Sequence, residues 1–385
     1  MNFDDYSYQG FSDVCWNNFT IDNEKKAKRR FFRIFFSLFL YMLIYNVAAL
    51  AIQVIFMIVR GPDYLIALSS DPYFLILTNL VCIYVIAFPI FLLTTLGMKG
   101  TIRYKSKISF KEFFGYFLVC QAFVTVGSIA SNVVNSILGI FRLSSTGSVD
   151  EIVTNSPVWL TILVVVIIGP VVEEFIFRKI LMDKLGVYGD RLAIIVSSLC
   201  FGLIHGNVGQ LFYAFIIGLL LGYVYSKTGR IIYPILLHVL VNFFGTVIPI
   251  ITLKIEEILM SNESFAALME AYENGGELTT AMIEACFDCL PLLFVMSALS
   301  FLTLGLSIAG VVVFAKNVKR VYVSDRCDVL IPKEKRAGII FKNAGAILLI
   351  IAFLISFLLS APLLGDIINA FTPDVTTPPP TGGGV

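Results

Sequence analysis

Nine apolar stretches, most of them as long as a bilayer is thick, constrain this chain more than any other feature. About 20 helical residues cross a hydrocarbon core. Stretches of that kind run at 33–59, 73–97, 113–141, 157–182, 191–205, 208–226, 231–253, 291–315 and 341–362, the fifth being the shortest. The expected fold class is all-α: a polytopic transmembrane helix bundle of about 8–9 spans around a polar intramembrane cavity. Only 14% of residues are charged, against roughly 25% in soluble domains, and the mean hydropathy is +0.87. A chain of 385 residues would suggest two or three soluble domains, but this composition favours one membrane bundle.

The charges are segregated. Lys25 to Arg30 read K-K-A-K-R-R ahead of the first stretch. Lys99, Arg103, Lys105, Lys107 and Lys111 follow the second, and Lys179, Lys184 and Arg191 follow the fourth. Lys227 and Arg230 lie between the sixth and seventh, and Lys316, Lys319, Arg320, Arg326, Lys333, Lys335 and Arg336 between the last two. With nine spans, all of these share one side, which the positive-inside rule makes the cytoplasm, together with the amino terminus.

Segment 254–290 is the opposite. It holds one lysine against Glu256, Glu257, Glu263, Glu270, Glu273, Glu277, Glu284 and Asp288, and is expected to form short amphipathic helices at the outer surface. The division expected is a cytoplasmic segment at 1–32, three helices in 33–156 and a core at 157–253. An acidic external loop at 254–290, two helices in 291–365 and a disordered Pro/Gly tail at 366–385 complete it. Residues 1–24 lack the pattern of a cleavable signal, so the first apolar stretch should act as an uncleaved anchor. The absence of a eukaryotic targeting signal favours a bacterial plasma membrane. Cys82, Cys120 and Cys200 sit in apolar runs as packing residues; Cys286 and Cys289 have C-x-x-C spacing, a weak signal when isolated.

Ionisable groups inside the fourth stretch stand out. Residues 169–179 read G-P-V-V-E-E-F-I-F-R-K, and charge at membrane depth is costly enough to imply a function. On a helix, Glu174 and Arg178 are four apart and can pair, acid first. Glu173 points about 100° away, leaving it free to serve as a general base. The plain alternative is that all three only pin helices together.

The histidines weigh against that alternative. The chain has two, His205 and His238, both in apolar stretches that follow the acidic one. Phe201 lies one turn before His205, able to pack on its ring, and Asn242 lies one turn after His238. Polar groups this scarce in a bilayer should converge on one cavity. One measure opposes convergence: counted from the cytoplasmic ends of the stretches, Glu173 and His238 lie roughly 10–16 Å deep, and His205 nearer 21 Å. A tilted helix, or a fifth helix starting deeper, would close the gap.

Glu173, His205, His238 and Asn242 supply what peptide hydrolysis requires, a base for water and donors for an oxyanion. No serine–histidine pair and no H-E-x-x-H helix is present. Zinc held by Glu173, His205 and His238, with water in the fourth position, fits the same residues.

E-E-F-I-F-R, F-G-L-I-H and H-V-L-V-N, in that order, resemble the three motifs of the CPBP intramembrane proteases, which include the CAAX prenyl endopeptidases and the bacterial Abi group. The resemblance covers about 157–250 and implies an all-helical bundle with proteolysis near the membrane surface. It implies that Glu173 activates water, His205 helps to hold it, and His238 with Asn242 forms the oxyanion site. Glu174 and Arg178 would support them. No cofactor is expected from the metal-free form of that mechanism, and zinc is the alternative. The expected partners are membrane lipid and a membrane-tethered or lipidated peptide, with no nucleic acid. A non-catalytic immunity or scaffold protein that binds peptides competes with this reading. So does a transporter lined by Asn132 and Asn135, though without the repeats such folds carry.

Overall fold

Local chemistry sets the ends of the long helices. In the computed structural model, which describes residues 19–61, 64, 68, 71–141, 143, 156–277, 279–323 and 327–359, α1 runs Ile21–Arg60 and begins where the Thr20 hydroxyl accepts from Asn23 N–H. Helix α2 (Pro72–Thr95) starts on Asp71, whose carboxylate accepts from the amides of Tyr73 and Phe74. Helix α3 (Phe110–Ile140) opens with a reciprocal capping box between Ser109 and Glu112. There follow α4 (Val158–Tyr188), α5 (Asp190–Ile204), α6 (Val208–Thr228) and α7 (Ile232–Met260). The chain continues through α8 (Glu263–Asn274), α9 (Thr280–Asn317), α10 (Lys333–Ile340) and α11 (Ala344–Leu359). Among the described residues there is no strand. The protein is an integral, multi-pass membrane protein.

Seven helices are long and apolar enough to cross a membrane: α1, α2, α3, α4, α6, α7 and α9; the pair α10–α11, bent by 56°, makes an eighth if it is one span. That is close to the 8–9 spans expected; the helix of the 191–205 stretch, α5, is shorter than these, with 15 residues and a length of about 22 Å. The acidic segment is also less of a loop than expected. Helix α7 runs on to Met260 and α9 begins at Thr280, with α8 between them anchored by Phe265 against Ile255, Leu259 and Ala285. Cys286 and Cys289 lie on α9 as free thiols. The Pro/Gly tail, Arg326 and residues 1–18 lie outside the described residues.

Small residues let the helices close on one another, the usual device where lipid supplies no hydrophobic drive between them. Gly310 on α9 lies against the Leu118 carbonyl of α3, and Gly345 on α11 against the Phe32 carbonyl of α1. Gly202 faces Leu211 and Gly218 faces Ser198, so α5 and α6 form a tight antiparallel hairpin. Helix α4 runs through the middle. Its Phe177, Leu181 and Met182 share a buried core with Phe31, Phe35 and Leu38 of α1 and with Cys200 and Phe201 of α5.

One loop is tied down by charge. Arg103, between α2 and α3, bonds Asp183 and Asp190, both at 2.8 Å, and its guanidinium lies 5.0 Å from the centre of the Tyr225 ring. Tyr225 in turn donates to Asp183 at 3.0 Å. Burial works against the Arg103 charge, but Asp190 and Asp183 outweigh it and raise its pKa. This network staples the 98–109 loop to the ends of α4 and α6.

Candidate active site

Helix α4 is not uniform where it carries the acids. Two wide π-helical stretches, Ile162–Ile168 and Phe175–Met182, flank an α-helical turn at Gly169–Glu174. Such widened turns occur often at functional sites, because they re-aim side chains that a regular helix would stack. Pro170 opens the central turn, where its missing N–H costs least.

The i,i+4 contact expected from the sequence forms. Glu174 Oε2 lies 3.0 Å from Arg178 Nε, and both side chains are fully buried. The alignment is too poor for a hydrogen bond, and all three guanidinium nitrogens are without one among the described residues. The Arg178 guanidinium sits 5.1 Å from the centre of the Phe201 ring, a cation–π contact that gains strength in a desolvated site. Glu174 does more than pair with arginine. Its Oε1 lies 3.0 Å from His238 Nδ1, a link across 64 residues of sequence.

Glu173 differs from its neighbour. Its side chain is 32% exposed, and its Oε2 lies 3.6 Å from His238 Nε2. That gap is too long for a direct bond and suits a bridging water. His238 is thus held between the two acids, with Nδ1 toward the buried one and Nε2 toward the open one.

His205 arrives from α5 by a different device. It is the residue that caps that helix at its carboxyl end, its Nδ1 lies 2.7 Å from the Phe201 carbonyl oxygen, and Gly206 (φ +68°) then reverses the chain. Asn207 caps α6 by accepting from Gln210 N–H and donates its amide to the His205 carbonyl. Phe201 is the hub: its ring meets His205 edge-on at 5.0 Å and His238 at 5.6 Å. Both histidines therefore flank one ring.

Asn242 sits one turn beyond His238 on α7, but its amide donates to the Val165 carbonyl of α4 at 3.0 Å. That carbonyl belongs to the first π-helical stretch. The sequence pattern missed three features here. The Glu174–His238 link gives no local signal. Asn207 does, since N-x-x-Q before an apolar run is a helix-start pattern. The tyrosines of α1 and α2, considered below, have none.

The cluster is buried on its Glu174–Arg178 side and partly exposed at Glu173, His205 and Asn242. Pockets of about 300 and 380 Å³ lie elsewhere, against Lys28, Arg29 and Lys342 and against Lys26, Arg30 and Lys99. Among the described residues, no three His, Cys, Asp or Glu side chains gather as a metal site.

Residues 155–244 match the family described as type II CAAX prenyl endopeptidase Rce1-like. This segment is thus similar to the CAAX proteases. No curated protein and no solved structure matches the chain. The matched segment contains Glu173, Glu174, Arg178, Phe201, His205, His238 and Asn242, and the family is one of proteases. Helices α1 to α3 and α8 to α11 lie outside the match.

Proposed function

We propose that this protein is an intramembrane endopeptidase that hydrolyses a peptide bond in a membrane-tethered or lipidated substrate, using water activated by Glu173. One observation carries the reading: within the matched segment, a partly open carboxylate lies 3.6 Å from Nε2 of a buried histidine, so that both groups can reach one water on the open side.

In the proposed cycle, Glu173 takes a proton from that water as its oxygen attacks the scissile carbonyl carbon. The Nε2–H of a protonated His238 donates to the resulting oxyanion, while Glu174 accepts Nδ1–H and holds the ring. The protonated ring and Arg178 together balance the charges of Glu173 and Glu174. Glu173 then passes its proton to the leaving nitrogen, the C–N bond breaks, and a carboxylic acid and an amine form; the acid's proton passes to the amine, so that a carboxylate and an ammonium separate. His205 helps to hold the water. Asn242, whose amide is bonded to the Val165 carbonyl, fixes α7 to α4 and reaches the oxyanion only if that bond is exchanged. The proposed cycle is the metal-free one. The clusters of Lys and Arg support a cytoplasmic amino-terminal side, and the bacterial plasma membrane is the proposed location.

The test is cleavage by the purified protein in vesicles of quenched peptides, with and without a prenyl chain, with and without chelator. Cleavage that prefers the lipidated peptide and survives chelator is expected. A protein that binds such peptides yet cleaves none would support a non-catalytic peptide-binding role instead. Loss of cleavage in chelator, restored by zinc, would overturn the metal-free step.

A further inference from the structure

Among the described residues, the hydroxyls of Tyr84 and Tyr41 have no hydrogen-bond partner. Tyr84 comes from the π-helical stretch Val81–Ala87 of α2, and its hydroxyl lies 3.5 Å from where a Cβ on Gly169 would be. Gly169 is four residues before Glu173, so the two share one face of α4. The glycine leaves room for the phenol on the face that carries the acid. Tyr41 reaches in from α1, its ring edge-on to Phe91 of α2 at 6.1 Å. The charge of Glu173 acts on both Tyr41 and Tyr84.

Other tyrosines of this bundle show what is unusual. Tyr45 donates to Asn79 at 2.7 Å, and Tyr225 to Asp183 at 3.0 Å. Half-buried phenols normally find such a partner. Among the described residues, Tyr41 and Tyr84 have none. An edge-on contact between Phe88 and Phe175, 6.3 Å between centroids, holds α2 against α4 one turn beyond Tyr84, so the approach of Tyr84 is braced.

We propose that Tyr84 is a positioning residue of the Glu173 centre, its hydroxyl donating a hydrogen bond to the Glu173 carboxylate or to the water on it. The site then draws on α2, which lies outside the matched segment, as well as on α4 and α7. This rests on the proposed endopeptidase reading.

Tyr84→Phe removes the hydroxyl and keeps the ring. A hydrogen bond to an ionised group is strong enough that kcat should fall about 10- to 100-fold, with KM and thermal unfolding unchanged. The donor favours charged Glu173, so its loss raises that group's pKa and the acidic limb of the pH–rate profile should move to higher pH. Tyr45→Phe, whose hydroxyl is engaged by Asn79, should leave both unchanged. An infrared titration of the Glu173 carboxyl band, assigned by difference from Glu173→Gln, should show the same upward move in Tyr84→Phe without any need for turnover. An unmoved carboxyl titration, or an unchanged kcat and acidic limb, overturns the role of Tyr84. Equal cleavage by wild type and Glu173→Gln would overturn the endopeptidase reading, while the infrared shift would still decide the tyrosine.

Discussion

Two arginines are buried in this bundle beside two acids each, and they are held in opposite ways. Arg103 spends its donors on Asp183, Asp190 and the Met182 carbonyl, and Tyr225 bonds the first acid as well. Arg178 is fully buried, touches only Glu174 as an ion pair, and has no well-formed hydrogen bond among the described residues. A satisfied network of this kind rigidifies a structure, whereas an unsatisfied buried group carries a desolvation cost that packing must offset. The first region reads as a staple. The second is polarised, with charge stored beside a carboxylate that remains open.

Substitutions can break that contrast. The largest expected effect is on chemistry: Glu173→Gln should reduce peptide cleavage by about 10²- to 10⁴-fold. Because Glu173 has no close bond to lose, the thermal midpoint should stay level or rise, as is common when a functional strain is relieved. Arg103→Ala should do the reverse. It takes the guanidinium from Asp183, which keeps Lys179 and Tyr225, and from Asp190, which keeps Ser226, at a cost of about 1.5–3 kcal/mol of stability, while cleavage per folded molecule is kept. A variant that lost both equally would erase the distinction between the two regions.

Smaller changes sharpen it. Gly218→Val places a branched side chain where a Cβ already meets Ser198 at 3.0 Å, and overpacking should cost about 1–3 kcal/mol. Since the α5–α6 hairpin carries His205, cleavage should fall further than stability alone accounts for. Asn207→Ala removes the α6 cap, worth about 1 kcal/mol. It also frees the His205 carbonyl, so its signature should be a modest loss of turnover with the fold intact. Denaturant or thermal unfolding in detergent, read beside cleavage rates, checks both.

Much of this was legible in the chain itself. Runs of Leu, Ile, Val and Phe longer than a bilayer specify helices, and Glu174 and Arg178 meet because four residues make about one turn. The two histidines could be paired in advance only because polar residues are so rare here. What could not be read is non-local. The stretch at 191–205 has the apolarity of a span, yet α5 stops at 15 residues because Gly206 and the Asn207 cap reverse the chain there. The bond between Glu174 and His238 depends on how α4 crosses α7, and the approach of Tyr84 depends on a glycine one turn from the acid. The Arg103 staple has no motif, since its partners lie 80 and 87 residues away.

The most direct measurement of the central claim is cleavage by wild type, Glu173→Gln and Arg103→Ala, each reconstituted in vesicles at equal folded amounts. The expected result is cleavage by wild type and Arg103→Ala and almost none by Glu173→Gln, whose unfolding curve overlays or exceeds that of wild type. Wild-type cleavage by a folded Glu173→Gln would contradict the account, because the open carboxylate would then have no part in the chemistry.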